Sequence, residues 1–300
     1  MAGNNTNLGA MKPSRQLGPA DAQILIALAR FHYLTVKQVV RLFYKPTPAN
    51  EIGVQRRFKR LTDDGYCLVR WLERQGPSGR GPQLFVLDTK GRNYVESLGI
   101  AVPPRFRPSE VPTNSNQLRH VAACSDVFIQ AELFCRNDPD FTLERLVHER
   151  EFRSVKSYVE VGGQRTAVIP DGWFSLIGQG YRYPRIVEVD LASERQDKWR
   201  RKARALAAWI RIDGPHQRRM GVKDVRVAVV APGRPARAET LRLWTEAELG
   251  ERHRDTGALF RFTGLDPATT DPATFFRAPV WQDAFGQEPV SLLHEEESAG

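Results

Sequence analysis

Cysteine is scarce in this chain, with three thiols, Cys67, Cys124 and Cys135, among 300 residues. They form no even disulfide set and show no metal-ligand spacing with one another. If Cys124 and Cys135 share a helix, their separation of eleven positions spans about 16 Å at 1.5 Å per residue. A disulfide tolerates only about 7 Å between Cα atoms, so the cysteines read as plain buried thiols. No stretch approaches the roughly 18 consecutive apolar residues of a membrane span, and MAGNNTNLGAMKPSRQ lacks the apolar core of a signal peptide. A cytoplasmic, bacterial protein without a membrane partner is the expectation. Also missing are a GxxxxGKS phosphate loop, an HExxH helix and a Ser-His-Asp arrangement, which excludes NTPase, zincin and covalent-hydrolase chemistry. The six histidines show no paired metal-binding spacing, which argues against a tyrosine-nucleophile relaxase.

The composition is globular, 41% apolar and 26% charged, and 300 residues suffice for two ordinary domains. The net charge of +9 is unevenly placed. Residues 15–100 carry 14 Lys and Arg against 7 Asp and Glu, whereas residues 101–300 carry 29 against 28. A compact segment with twice as many positive as negative groups favours a polyanion through phosphate contacts and counterion release.

Residues 1–16 read as a tail. A helix follows Gly18, with Pro19 in its first turn and apolar residues at Ile24, Leu25, Leu28 and Phe31. Thr35 caps a second, through Val36, Val39, Val40 and Phe43 to a stop at Pro46. A third runs from about Ala49 to Asp64. Two β-rich segments, Tyr66–Leu72 and Gln83–Leu87, flank a Gly- and Pro-rich turn at residues 75–82, and a helix at Thr89–Leu98 ends at Gly99. Three helices and a hairpin are the element order of a winged helix-turn-helix, with the third helix as reader. At 100° per residue Val54, Phe58 and Leu61 fall on one side of it and Gln55, Arg56, Lys59 and Arg60 on the other. Arg74 and Arg80 would sit at the wing tip, suited to phosphates or the minor groove.

Residues 101–116, AVPPRFRPSEVPTNSN, hold four prolines and read as a linker between a domain at 17–100 and one at 117–284. Beyond it the pattern predicts a helix at Gln117–Arg136 and strands near 141–152, 155–161, 166–177 and 184–191. A helix from Glu194 to about residue 212, a strand at 224–230, a helix at 237–250 and a strand at 258–263 follow. Gly162-Gly163 reads as a hairpin turn, Ser193 with Gln196 as a capping box, and residues 285–300 as a frayed tail. Mixed strands alternating with helices argue an α/β or α+β layer domain.

The segment IPDGWFSLIGQGYRYPRIVEVDLASE carries the candidate chemistry. Asp171 sits in a Pro-Asp-Gly turn, and Glu188 and Asp190 occupy alternate positions on the next strand. Period-two geometry sends Val187, Val189 and Leu191 to one face and the two acids to the other. If the strands are neighbours, Asp171, Glu188 and Asp190 converge into an oxygen cluster suited to Mg²⁺ or Mn²⁺. The plainer alternative is a wet sheet face salt-bridged to the basic helix that follows. That helix has an apolar stripe of Trp199, Ala203, Leu206 and Ile210. Lys202 lies about 60° from the stripe's centre and Lys198 about 100°, so Lys202 is the better placed to reach the sheet.

The order of helix, strands, helix and strand, with PD on one strand and an acid-x-acid on the next, resembles the PD-(D/E)xK nuclease superfamily. That resemblance implies a restriction-endonuclease-like mixed-sheet domain and catalytic roles for Asp171, Glu188, Asp190 and Lys202. The superfamily pattern has lysine where this chain has Asp190, so Lys202 would be a migrated lysine supplying charge to the transition state. The whole chain resembles the replication-relaxation family of plasmids and mobile elements. The residues that carry this are QLRHVAACSDVFIQAEL with His120, then Pro170-Asp171-Gly172, Glu188-Val189-Asp190, and Trp199 to Lys202. Asp126 and Glu132 on the His120 helix are weaker candidates for a further ligand. The implied role is double-stranded DNA binding in replication, relaxation or regulation, as a homodimer or with replication or mobilisation proteins. Three readings stay open here: a binding protein with a degenerate nuclease-like scaffold, an active metal-dependent nickase or endonuclease, and a plain transcription regulator.

Overall fold

The computed structural model describes residues 17–72, 81–102, 114–211 and 214–293. The expected N-terminal tail, Arg74 and Arg80 of the wing tip, and most of the proline-rich segment lie outside the described residues.

Helices α1 (Pro19–Phe31), α2 (Val36–Phe43) and α3 (Pro48–Asp63) precede an antiparallel pair, β1 (Cys67–Trp71) and β2 (Gln83–Leu87). α4 (Thr89–Ser97) closes this lobe against α1. Local sequence sets the starts. The Thr35 hydroxyl accepts from Gln38 N at 3.2 Å while Gln38 Oε1 accepts from Thr35 N at 2.8 Å, a capping box that satisfies two otherwise orphaned donors. Thr47 caps α3 by accepting from Asn50 N. Phe58 of α3 stacks on Phe85 of β2, ring centroids 3.8 Å apart, and Val54 and Leu61 complete the buried stripe. The opposite face of α3 is thereby left to solvent. This is the winged helix the pattern predicts.

The second lobe opens with α5 (Ser115–Asn137), followed by β3 (Phe141–His148), α6 (Glu149–Ser154), the hairpin β4 (Ser157–Val161) and β5 (Gln164–Val168), then β6 (Gly172–Gly178) and β7 (Tyr181–Val189). Next come α7 (Gln196–Ile210), α8 (Pro215–Met220), β8 (Arg226–Val230), α9 (Pro235–Leu249), α10 (Arg254–Gly257), β9 (Phe260–Thr263), α11 (Pro272–Arg277) and β10 (Gln282–Asp283). Six strands form one sheet in the order β10-β9-β8-β7-β6-β3. β3, β6 and β7 pair antiparallel, β7, β8 and β9 parallel, and β10 antiparallel to β9. The crossovers through α7 and α9 bury one sheet face around Trp173, Ile186, Trp199, Val227 and Val229, and α5 covers the other around Phe128, Phe174, Val187 and Val189. The mixed sheet and its helix order are those expected of a restriction-endonuclease-like layer domain.

Several sequence expectations are corrected. The strand expected over 141–152 stops at His148, because Glu151 Oε1 accepts from His148 N at 3.2 Å and starts α6. The run 166–177 is split at Pro170-Asp171, and its first half pairs with β4 in a separate two-stranded sheet. Gly162 and Gly163, φ 57° and 73°, make that hairpin's turn, a backbone that costs other residues strain. The Ser193–Gln196 capping box is not formed. α7 begins at Gln196 with Arg195 as its cap, and Ser193 N and Glu194 N instead donate to Asp190 Oδ1, each at 3.2 Å. Within the expected tail, residues 290–293 return to the sheet, Leu292 fully buried, because two buried guanidinium groups need acceptors. Arg185 donates to Leu292 O at 2.7 and 3.1 Å, and Arg261 to Leu292 O at 2.9 Å and Ser291 O at 2.8 Å.

The two lobes share a continuous apolar core that runs from α1 and α2 through α5 into the sheet. Polar contacts pin the junction. Arg41 pairs with Asp126 at 2.6 Å and Arg30 with Glu132 at 2.7 Å, Gln38 Nε2 donates to Ala122 O at 2.8 Å, and Ser125 Oγ donates to Tyr33 O at 3.1 Å. At its centre the rings of His32, at the end of α1, and His148, at the end of β3, stack with centroids 4.0 Å apart. His148 Nε2 donates to Arg30 O at 2.8 Å, and His32 Nδ1 accepts from Arg150 at 3.0 Å. Burial first, then the charges of His148, Arg150 and Arg92, holds His32 well below the usual histidine range. Burial, helped by Arg150, holds His148 at about 4.

Both rings are neutral in the fold, whereas the unfolded chain protonates them near pH 6.5. Their contribution is therefore complete above about pH 6.5 and is lost as pH falls toward the folded values, at up to about 1.4 kcal/mol per pH unit per ring. Asp126, which burial lifts to about 6, opposes that trend, so the measurement is a comparison. The melting temperature of the wild type should fall between pH 7 and pH 5 more steeply than that of His148→Gln; equal slopes would contradict the assignment of a neutral His32–His148 stack.

Candidate active site

The β6–β7 ladder pairs Gly172 with Val187, which sets Asp171 beside Glu188. Alternation along β7 turns Val187 and Val189 toward α5, and Ile186, with Glu188 two residues on, toward α7. A Cβ at Gly172 would collide with Phe128 Cζ of α5 and press on Val147 O. The glycine of the Pro-Asp-Gly turn thus lets α5 press against the strand that carries Asp171.

Lys202 comes from α7. That helix buries Trp199, Ala203, Leu206 and Ile210, and the Trp199 indole donates to Thr245 Oγ1 of α9 at 2.9 Å, which fixes its rotation. One turn from Trp199, the Lys202 ammonium contacts Glu188 Oε2 and stands 3.7 Å from Asp171 Oδ1. Asp171 Oδ2 accepts from Val189 N at 2.8 Å, tying the carboxylate to the neighbouring strand. His120 of α5 approaches from the other side, its Nε2 3.2 Å from Asp171 Oδ1 and 3.6 Å from Cys124 Sγ.

Asp171 and Glu188 are buried, and Lys202 and His120 are partly open to solvent. Burial alone would raise the Asp171 pKa, but the Lys202 and His120 charges and the Val189 N–H take it well below the ordinary carboxylate range. Burial, reinforced by the Asp171 charge and only partly offset by Lys202, drives Glu188 well above it. Burial would lower Lys202, and the two carboxylates override this and raise it. The Cys124 sulfur and the Asp171 carboxylate raise His120, and burial lifts the Cys124 thiol to about 11. Because one nitrogen of His120 faces both sulfur and carboxylate, the three do not form a nucleophile–base–acid relay, which needs the two ring nitrogens to serve different partners.

The structure brings Asp171, Glu188 and Lys202 together and leaves Asp190 out. Asp190 Oδ2 is held by Arg237 at 2.5 Å and its Oδ1 by the Ser193 and Glu194 amides, so both oxygens are already engaged. As a metal ligand or catalytic acid Asp190 is therefore corrected: it shapes the turn into α7. Lys198 pairs with Glu194 at 2.8 Å, and Asp126 and Glu132 are committed to lobe-junction ion pairs. On α3, Gln55, Arg56, Lys59 and Arg60 are exposed; Lys59 pairs with Asp63, and Gln55 donates to Gln83 of β2. Cys124, a plain buried thiol by the sequence reading, joins this cluster because its partner is a histidine rather than another cysteine. The signal was His120-x-x-x-Cys124, an i, i+4 pair on one helix face.

A family profile described as replication-relaxation matches residues 25–226. No curated protein matches the chain. Among solved structures the chain is similar to PadR of Bacillus subtilis in complex with operator DNA, at 16% identity and TM-score 0.22, covering 39% of this chain and 67% of that one. It is also similar to the restriction endonuclease FokI, at 13% identity and TM-score 0.21, covering 76% of this chain and 40% of that one. The chain thus spans two fifths of the endonuclease's length.

Removing one partner of a buried ion cluster leaves an uncompensated charge, at about 3–5 kcal/mol. Lys202→Met should destabilise the protein by that order in denaturant unfolding, and adding Glu188→Gln should restore part of the loss. A cost below about 0.5 kcal/mol, as for an ordinary surface lysine, would contradict the cluster.

Proposed function

This chain belongs to the replication-relaxation family, whose profile spans more than half of it, and from that premise we propose a double-stranded DNA-binding protein whose second lobe hydrolyses a phosphodiester bond. In this reading the winged-helix lobe, residues 17–100, presents Gln55, Arg56, Lys59 and Arg60 to the duplex. The lobe at 117–284 cuts or nicks. The observation that carries it is Lys202 reaching from α7 to both Asp171 and Glu188. Two acids and a lysine are the composition of a PD-(D/E)xK centre, with the lysine moved onto the helix.

The residues fit a hard divalent cation. Glu188 Oε1 is buried without a hydrogen-bond partner beside a second carboxylate, an arrangement of oxygens that suits Mg²⁺ or Mn²⁺. Asp171 and Glu188 would hold the ion, which when bound supplies Lewis-acid stabilisation of phosphate charge. Lys202 keeps its proton and places a positive charge where the pentavalent phosphate develops negative charge. Val189 N orients Asp171, and His120 flanks it. The biological setting we propose is replication, relaxation or regulation of a plasmid or other mobile element, as a homodimer or with replication or mobilisation proteins.

The depth of Glu188, 1% exposed, favours a second reading, a DNA-binding scaffold in which the cluster is an internal ion pair. The two separate on supercoiled plasmid with Mg²⁺ or Mn²⁺. Hydrolysis predicts nicking that chelator abolishes and that Glu188→Gln and Lys202→Ala reduce by at least a hundredfold, with DNA binding retained. Metal-independent integrity of the plasmid with unimpaired binding supports the scaffold.

For the DNA face, Arg56→Ala or Arg60→Ala should weaken duplex binding by about 1–3 kcal/mol where the side chain reaches a base edge. Log affinity should fall with log salt at about −0.9 per phosphate neutralised. Affinity unchanged in an Arg56→Ala/Arg60→Ala double variant would place the interface elsewhere.

A further inference from the structure

Beside the carboxylate–lysine cluster, three donors of different chemistry converge. His120 Nε2, Cys124 Sγ and an Asp171 carboxylate oxygen all lie within 4.8 Å of one another. We infer that they form a second divalent-cation site, selective for a thiophilic ion of the Zn²⁺, Co²⁺ or Fe²⁺ type. It shares Asp171 with the hydrolytic centre proposed above but does not depend on hydrolysis occurring there.

Two of the three separations match those a tetrahedral ion imposes, and the third lies within 4.8 Å. With zinc bonds of about 2.0–2.1 Å to nitrogen and oxygen and about 2.3 Å to sulfur, ligand atoms sit about 3.3 Å apart for N and O and about 3.5 Å for N and S. The corresponding distances here are 3.2 Å for His120–Asp171 and 3.6 Å for His120–Cys124. Without a cation, the sulfur and the carboxylate share the one Nε2–H in a three-centre arrangement. A cation between the three satisfies all of them and replaces the protons that His120 and Cys124 otherwise carry.

Placement on the fold is rigid. His120 and Cys124 are one turn apart on α5, on the same face, and α5 is held to the strand by the close approach over Gly172. Asp171 is fixed by Val189 N. The three donors also line a cavity of about 30 Å³ together with His32, His148 and Glu149, room for a bound water. Three protein ligands beside such a space are the pattern of a site with an open fourth position rather than a closed structural one. The thiolate sets the metal class, because sulfur ligands favour borderline and soft ions over Mg²⁺.

The test is Co²⁺ titration of the full-length, metal-stripped protein, followed by visible and near-ultraviolet absorption. One equivalent should bind at the thiolate site, with tetrahedral d–d bands and a thiolate-to-cobalt charge-transfer band. Zn²⁺ should displace it and Mg²⁺ should not. Cys124→Ser should lose the charge-transfer band, His120→Gln should weaken Co²⁺ binding at least tenfold, and Glu188→Gln should keep both. Circular dichroism confirms that each variant is folded. Absence of a thiolate band in the folded wild type, or a band that survives Cys124→Ser, would overturn the site. Because Glu188→Gln removes nicking under the hydrolytic reading yet keeps this band, failure of one proposal is distinguishable from failure of the other.

Discussion

Two carboxylates buried side by side repel each other, and the low dielectric around them magnifies the repulsion unless positive charge is supplied. Asp171 and Glu188 are in that position because the β6–β7 register leaves them no alternative. Much of the second lobe can be understood as delivering cations to them. α7 is rotated by the Trp199–Thr245 hydrogen bond so that Lys202 faces the pair. α5 is brought close enough by Gly172 for His120 to face Asp171. The resulting centre holds one carboxylate strongly acidic and its neighbour strongly basic, a separation typical of sites that do acid–base or metal chemistry.

The same helix joins this centre to the winged-helix lobe. α5 carries His120 and Cys124 near its start, and further along it accepts Arg41 and Arg30 from the winged helix through Asp126 and Glu132. The lobes therefore meet over a packed core with buried histidines at its centre. The exposed face of α3 lies outside that contact, so the docking of the lobes leaves Gln55, Arg56, Lys59 and Arg60 open to solvent.

Elements with strong period and explicit punctuation were legible in the sequence. The α3 stripe of Val54, Phe58 and Leu61, the Gly162-Gly163 turn, the alternation through Val187, Glu188 and Val189, and the angular position of Lys202 all follow from geometry internal to one element. What was not legible depended on contacts between elements. Asp190 shares a strand face with Glu188 in the pattern, yet Arg237, 47 residues away, draws its carboxylate off. Ser193 lost its capping role to that same carboxylate. Residues 290–293 look like a polar tail until the buried guanidiniums of Arg185 and Arg261 are seen to need their carbonyls. The metal-ligating potential of Cys124 was hidden because its partners are a histidine one helical turn away and an aspartate on another element.

Hydrolysis at this centre would require a divalent metal held between Asp171 and Glu188 with Lys202 alongside. Crystals of the protein soaked in Mn²⁺ and measured for anomalous scattering at the manganese edge address that directly. A peak bounded by the Asp171 and Glu188 carboxylates, with the Lys202 ammonium swung off Glu188 toward the open side, is the result predicted. Manganese absent from both carboxylates, with the Lys202–Glu188 contact intact, would contradict it.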